Sequence, residues 1–216
     1  NADGASGSAV AANGLRAVAR IVEVNATNSS GPAMLVRSIS PNLTLPNSSL
    51  YRHSPNPTAH YLIETDPAFA SYRTWLTSDY MLQQLALDPA TTQKRLGDGF
   101  YEQRLIREQV AQLTGRRFLD GYSDDEAQYA GLMNAGVTFA RTWNLIPGVA
   151  LSAEQMAALT TDIVWLVEKD IDLGNGRTGK ALVPQVYARV KSTDLAPSGA
   201  LIAANDIDLD LSGGLS

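Results

Sequence analysis

Residues 40–69 read SPNLTLPNSSLYRHSPNPTAHYLIETDPAF. Pro41, Pro46, Pro55, Pro57 and Pro67 punctuate this stretch. Each proline fixes φ and removes a backbone donor. Each also pushes the residue before it toward extended geometry. The spacing therefore predicts extended backbone with little regular structure over 40–65. Leu43, Leu45, Leu50, Tyr51, Tyr61, Leu62 and Ile63 are too many apolar side chains for a free linker. The stretch is expected to pack against something.

Downstream, the signals turn helical. Asp66-Pro67 is an N-cap and N1 pair opening a helix through about Leu76. Ser78 is placed to cap a second short helix carrying Tyr80, Met81, Leu82 and Leu85. Asp88-Pro89 repeats the start signal before a helix over 90–96, which Gly97-Asp98-Gly99 breaks. Leu105, Ile106, Val110 and Leu113 sit near helical spacing over 100–114, with Gly115 as the stop. Ser123 with Glu126, and Ser152 with Gln155, read as capping boxes for helices over 124–143 and 153–167. Five or six helices are expected between Asp66 and Lys169.

The two ends carry strand signals. Upstream, Val18, Ile21, Val22 and Val24 form one β-like run, and Met34, Val36 and Ile39 another. After Lys169, residues 170–173 and 181–190 flank Gly174-Asn175-Gly176, a hairpin signal. In 200–211, Ile207, Leu209 and Leu211 alternate with Asp208 and Asp210, as in one rung of a parallel β-helix or a sheet edge.

Bulk properties narrow the function classes. With 216 residues, 44% hydrophobic and 18% charged, the chain is globular in composition. A net charge of -5 gives no broad attraction to nucleic acid or anionic lipid. Absence of cysteine excludes disulfides, thiolate catalysis and cysteine-based metal sites. The start NADGASGSAV has no basic or apolar region of a signal peptide, so an internal slice of a longer protein is expected. The apolar runs are too short to span a bilayer.

The candidate sites are weak as motifs. His53 and His60, with Glu64 and Asp66, match no metal-ligand spacing and read as surface or packing residues. Glu64, Asp66, Asp79, Asp98 and Glu102 offer carboxylates for an acid pair. Capping explains Asp66, a glycine turn explains Asp98, and the helix dipole explains Glu102 in a first turn. Leu96–Gly99 lacks the remaining residues of a phosphate loop. Arg104, Arg107, Arg116 and Arg117 read as charges near a helix C-terminus. Seven of the eight tyrosines, all but Tyr187, lie between Tyr51 and Tyr129. Most are expected to pin the proline-rich strand onto the helices, with Trp75, Trp143 and Trp165 in the core. An aromatic binding platform is the alternative.

Several long motifs occur in one order: LTLPNSSLYRHSPNPTAHYLIETDPAF, WLTSDYMLQQLALDP, KRLGDGFYEQRLIREQVAQLTGRRFLDGY, LSAEQMAALTTDIVWLV and LVPQVYARV. Together they resemble the Tyr/Pro-rich domain of two-partner-secretion, filamentous-haemagglutinin-like exoproteins of Gram-negative bacteria. That family includes the contact-dependent growth inhibition effectors. The closing APSGALIAANDIDLDLSGGLS resembles the first rung of their haemagglutinin repeats. The resemblance covers about residues 34–216. It implies a surface filament exported by an outer-membrane partner, and supplies no catalytic residues for this segment.

The fold class expected is α+β: a helical subdomain with an extended Tyr/Pro-rich strand, flanked by short β segments leading into a parallel β-helix. The expected domains are 1–39, a β-rich leading segment; 40–190, the Tyr/Pro-rich helical domain; and 191–216, the start of a β-helix repeat region. The function expected is a non-catalytic structural segment of a large secreted surface filament, an adhesin or toxin-delivery protein, separating receptor-binding and repeat regions. The alternative is a module binding an envelope component: peptidoglycan, lipopolysaccharide or the secretion partner. No catalytic, cofactor-binding or metal residues are expected, no cofactor and no enzymatic activity. Expected partners are the outer-membrane secretion partner, the target-cell envelope and the neighbouring β-helix, with no nucleic acid, for a monomer at the cell surface.

Overall fold

The computed structural model describes residues 19–25, 31–70 and 75–194. The expected β-helix rung at 200–211 lies outside the described residues. Among the described residues, seven strands form one mixed sheet, accompanied by five α-helices and a 3-10 turn at Ser192–Asp194. The strands are β1 (Ala19–Glu23), β2 (Met34–Ile39), β3 (Tyr51–His53), β4 (Tyr61–Thr65), β5 (Arg95–Gly97), β6 (Ile163–Gly174) and β7 (Arg177–Lys191). The helices are α1 (Pro67–Ala70), α2 (Asp79–Gln84), α3 (Gly99–Thr114), α4 (Asp125–Trp143) and α5 (Ala153–Ala157).

The long hairpin β6–β7 is the spine. Its turn uses positive φ at Gly174, Asn175 and Gly176, the conformation that glycine and asparagine tolerate. β6 covers one side of β7 along most of its length. The other side is shared. β2 pairs antiparallel with residues 188–191, and β5 pairs parallel at Leu182. From β2 the sheet continues to β1, and from β5 through β4 to β3.

This forking leaves a gap on β7 between Leu182 and Ala188. Backbone groups of Pro184 and Val186 face it, with no strand opposite among the described residues. A buried backbone group without a partner costs about 1–3 kcal/mol. Gln109 of α3, itself buried, fills the gap with its amide. Its Nε2 donates to the Pro184 carbonyl (2.9 Å), and its Oε1 accepts from the Val186 N–H (2.8 Å). Ser38 Oγ donates to the Val186 carbonyl at 2.9 Å. Proline has no N–H, so Pro184 at this position leaves one donor fewer to satisfy.

The helices are fixed by local chemistry. Asp98 caps α3 by accepting from the Tyr101 N–H at 3.0 Å, and Gly115 ends that helix with φ 69°. Asp98 also accepts from Thr65 N (2.6 Å) and Thr65 Oγ1 (3.0 Å), tying the end of β4 to the start of α3. α3 divides its apolar side between two clusters. Leu105 joins Ile63, Leu96, Tyr101 and Val183, whereas Ile106, Val110 and Leu113 join Trp165, Tyr129, Met133 and Val164. α4 lies so close to β6 that a Cβ at Gly136 would overlap the Val164 carbonyl oxygen.

Several local expectations change. Residues 51–53 and 61–65, expected to be extended without regular structure, are paired strands of the sheet. The helix expected over 90–96 is replaced by a turn and by β5, because Arg95–Gly97 bridges β4 and β7. The helix expected over 153–167 stops at Ala157, and the apolar run from Ile163 becomes β6. The Ser152/Gln155 capping box forms, with Ser152 N donating to Gln155 Oε1 at 2.9 Å. For α4, Asp124 is the cap in place of Ser123. Trp165 is fully buried as expected, while Trp75 and Trp143 are only half-buried.

Candidate functional site

Glu102 lies in the first turn of α3 and is fully buried. Its carboxyl accepts from Ser78 N (3.1 Å to Oε2), Ser78 Oγ (2.9 Å to Oε1) and the Tyr129 hydroxyl. Ser78 precedes α2, and its hydroxyl reaches Glu102 rather than capping that helix. Tyr129 comes from α4 and is also fully buried. Three helices therefore meet on one carboxyl.

Burial dominates the chemistry of this group. It raises the Glu102 pKa to about 8, outweighing the hydrogen bonds from Tyr129 and Ser78, which favour the anion. Asp79 adds a repulsive charge nearby. The Tyr129 hydroxyl is held well above its ordinary value, first by burial and then by Glu102.

Beside this acid lies a second layer. Arg95, fully buried in β5, pairs with Asp79 at 3.0 Å. Tyr61 donates to the same carboxylate at 2.8 Å, and the Arg95 guanidinium stacks 5.3 Å from the Tyr61 ring centroid. Burial pushes the Tyr61 hydroxyl up to about 12. Asp79 opens onto a surface cleft of about 300 Å³, lined also by Trp75, Thr77, Tyr80, Gln83 and Glu126. Trp75 also lines a second cleft of about 290 Å³, with Tyr51, Phe100, Gln103, Arg104 and Arg107.

Of the carboxylates singled out in sequence, the structure brings together only Asp79 and Glu102. Asp98 is taken up by capping and by Thr65. Asp66 accepts from Ala68 N (2.9 Å) and pairs with Arg52 (3.2 Å). Glu64 stands opposite Arg52 in the β3–β4 register. His53 Nε2 contacts the Pro46 carbonyl at 2.9 Å, and the His60 ring lies edge-on to Tyr61. Among the described residues, no group of three or more His, Asp or Glu side chains gathers to hold a metal ion. The arginines are ion-paired: Arg104 with Glu108, Arg107 and Arg117 with Asp125, and Arg116 with Asp120. Among the described residues, no helix is long and apolar enough to cross a membrane.

No family model and no solved structure matches the chain. Curated relatives do. The chain is 46% identical over 168 residues to "tRNA nuclease CdiA-2" of Burkholderia pseudomallei, covering 78% of this chain and 5% of that protein. It is 52% identical over 150 residues to "Toxin CdiA" of Yersinia pestis, covering 69% and 4%. The matched stretch belongs to the CdiA family of contact-dependent growth inhibition proteins. A third CdiA, "16S rRNA endonuclease CdiA" of Enterobacter cloacae, is 33% identical over 146 residues, covering 68% of this chain and 4% of that protein. The chain thus spans 4–5% of the length of the CdiA proteins it matches.

These names correct three expectations. A non-catalytic structural role was expected from the family resemblance, the absence of enzymatic activity from the weak site motifs, and the absence of a nucleic-acid partner from the net charge. Relatives at this similarity are named as nucleases of tRNA and of 16S rRNA. A net charge of -5 gives this chain no broad attraction to RNA, but says nothing of catalysis, and the chain matches only 5% of the relative named as a tRNA nuclease.

Proposed function

We propose that this chain is part of a contact-dependent growth inhibition toxin protein that acts by cleaving RNA. The observation carrying this reading is the 46% identity to a CdiA named as a tRNA nuclease. The finer placement is also proposed: a Tyr/Pro-rich domain of a two-partner-secretion exoprotein, running on into a filament of parallel β-helix at the outer membrane of a Gram-negative bacterium. Motif order supports that placement, above all LYRHSPNPTAHYLIETDPAF followed by KRLGDGFYEQRLIREQV.

The geometry bears on where RNA would touch this chain. Glu102 is enclosed and reaches no solvent. The cleft lined by Tyr51, Trp75, Phe100, Arg104, Arg107 and Asp125 sets aromatic side chains beside guanidinium groups, residue types that hold unpaired nucleotides, with the two arginines paired to Glu108 and Asp125.

The test is a co-culture of cells carrying the full-length protein with susceptible cells. Target-cell RNA is extracted and its ends are mapped. Growth inhibition accompanied by new ends at fixed positions in tRNA or 16S rRNA is expected. Inhibition with intact target RNA would overturn the reading.

A further inference from the structure

The carboxyl of Glu102 is a buried acid at a three-helix junction, with no cation of its own among the described residues. Around it stand Asp79 of α2, Tyr129 of α4, Tyr61 of β4 and Arg95 of β5, with Glu126 of α4 lining the cleft beside Asp79. Tyr129 of α4 donates to it, and Asp79 of α2 repels it. Tyr61 of β4 and Arg95 of β5 both turn to Asp79. Its remaining donors, the backbone N–H and hydroxyl of Ser78, belong to the segment that leads into α2.

An ionised carboxylate enclosed without a cation is unfavourable unless water reaches it. Two routes supply water: unfolding the whole domain, or lifting α2 from α3 and α4. α2 is the shortest of the three helices at the site, and it is tied outward through Asp79 to Arg95 and Tyr61, through Tyr80 to Asn134 and through the Gln84 carbonyl to Arg141. It is six residues long, its side-chain cap is absent, and of its residues only Met81 and Leu82 are buried. The other two sides of the site are long helices, of 16 and 19 residues. α3 is stapled to the sheet by Gln109 and Asp98, and α4 presses on β6 at Gly136.

We propose that Glu102 and the Ser78–Gln84 segment form a proton-controlled latch: the segment is closed over the neutral acid and released when the acid ionises. The shifted titration sets its pH window. In the open form the carboxyl titrates near its ordinary value of 4.5, and in the closed form at about 8. Between those values the closed form holds a proton that the open form has lost. Closure is therefore tightest below about pH 4.5, weakens about tenfold per pH unit as pH rises, and levels off above about 8.

Hydrogen exchange resolved by segment tests the latch on the protein as it stands, with rates corrected for the intrinsic pH dependence of exchange. Protection over 78–85 is expected to fall about tenfold per unit between pH 5 and 8 and to lie well below that of the β6–β7 hairpin throughout, because the segment opens without unfolding the sheet. Glu102→Gln is expected to hold 78–85 at constant protection across that range. Tyr129→Phe removes a donor that favours the anion, so the fall is expected to extend above pH 8. Loss of packing alone would lower protection at every pH and leave that upper limit in place. Equal protection in 78–85 and in the hairpin, or no slope in 78–85, would overturn the proposal. So would a Glu102→Gln or Tyr129→Phe protein that titrates like the parent.

Discussion

At the scale of single residues, two polar side chains on the apolar stripe of α3 organise the protein. Glu102, Leu105, Ile106, Gln109, Val110 and Leu113 follow helical spacing and are all buried. That stripe is visible in sequence. Reading Glu102 only as a first-turn acid stabilised by the helix dipole overlooked that it shares a face with Leu105 and Ile106. The same pattern marked Gln109, whose job only the fork in the sheet reveals. Replacing Gln109 by Leu keeps the volume but strands the Pro184 carbonyl and the Val186 N–H. We expect a loss of about 2–6 kcal/mol in chemical denaturation, because each of the two stranded groups costs about 1–3 kcal/mol. A loss below about 0.5 kcal/mol, within the usual spread of surface changes, would mean water or backbone movement fills the gap. Glu102 gives a second expectation. Its pKa is raised in the folded state, so its contribution to stability declines as pH rises from about 4.5 to about 8. Unfolding curves of Glu102→Gln at pH 5 and pH 8 are expected to differ less than those of the parent.

At the scale of elements, local signals served the helix starts and the hairpin better than the helix ends. The Ser152/Gln155 box was legible because it is a contact between near neighbours in sequence. The end of that helix and the strand after it were not. Residues 153–167 carry apolar side chains compatible with either a helix or a buried strand. Only pairing with β7 turns Ile163–Gly174 into β6. Likewise Arg95–Gly97 is too short to announce itself as a strand and is held by neighbours on both sides. Ser152→Ala is expected to cost about 1 kcal/mol, the usual value of such a cap, read as a lowered denaturation midpoint with unchanged slope. Gly136→Ala is expected to cost more, about 1–3 kcal/mol, since its Cβ meets backbone at Val164 and one element must shift. A stability equal to the parent's for Gly136→Ala would show that α4 can move away from β6 without loss.

At the scale of the whole molecule, the sequence carried the family and the structure carried the architecture. The motif order between Leu43 and Val190 pointed to exoproteins of contact-dependent inhibition, and the CdiA relatives agree. Charge and missing site motifs pointed away from an enzyme, and the relatives' names correct this. The reason is one of extent. Composition reports on 216 residues, whereas the activity named belongs to proteins of which the chain spans 4–5%. The forked sheet was illegible because its parts are distant in sequence: Ser38 of β2 and Val186 of β7, which hydrogen-bond, are 148 positions apart.

The most direct test of the central claim removes residues 40–190 in frame from the full-length protein and maps RNA ends in contacted target cells, with surface exposure of the protein tracked in parallel by antibody. Cleavage of tRNA or 16S rRNA by the parent, and at least a tenfold loss of cleavage in the shortened protein at equal exposure, is the predicted result. Undiminished cleavage by the shortened protein, or no cleavage by the parent, would contradict the account.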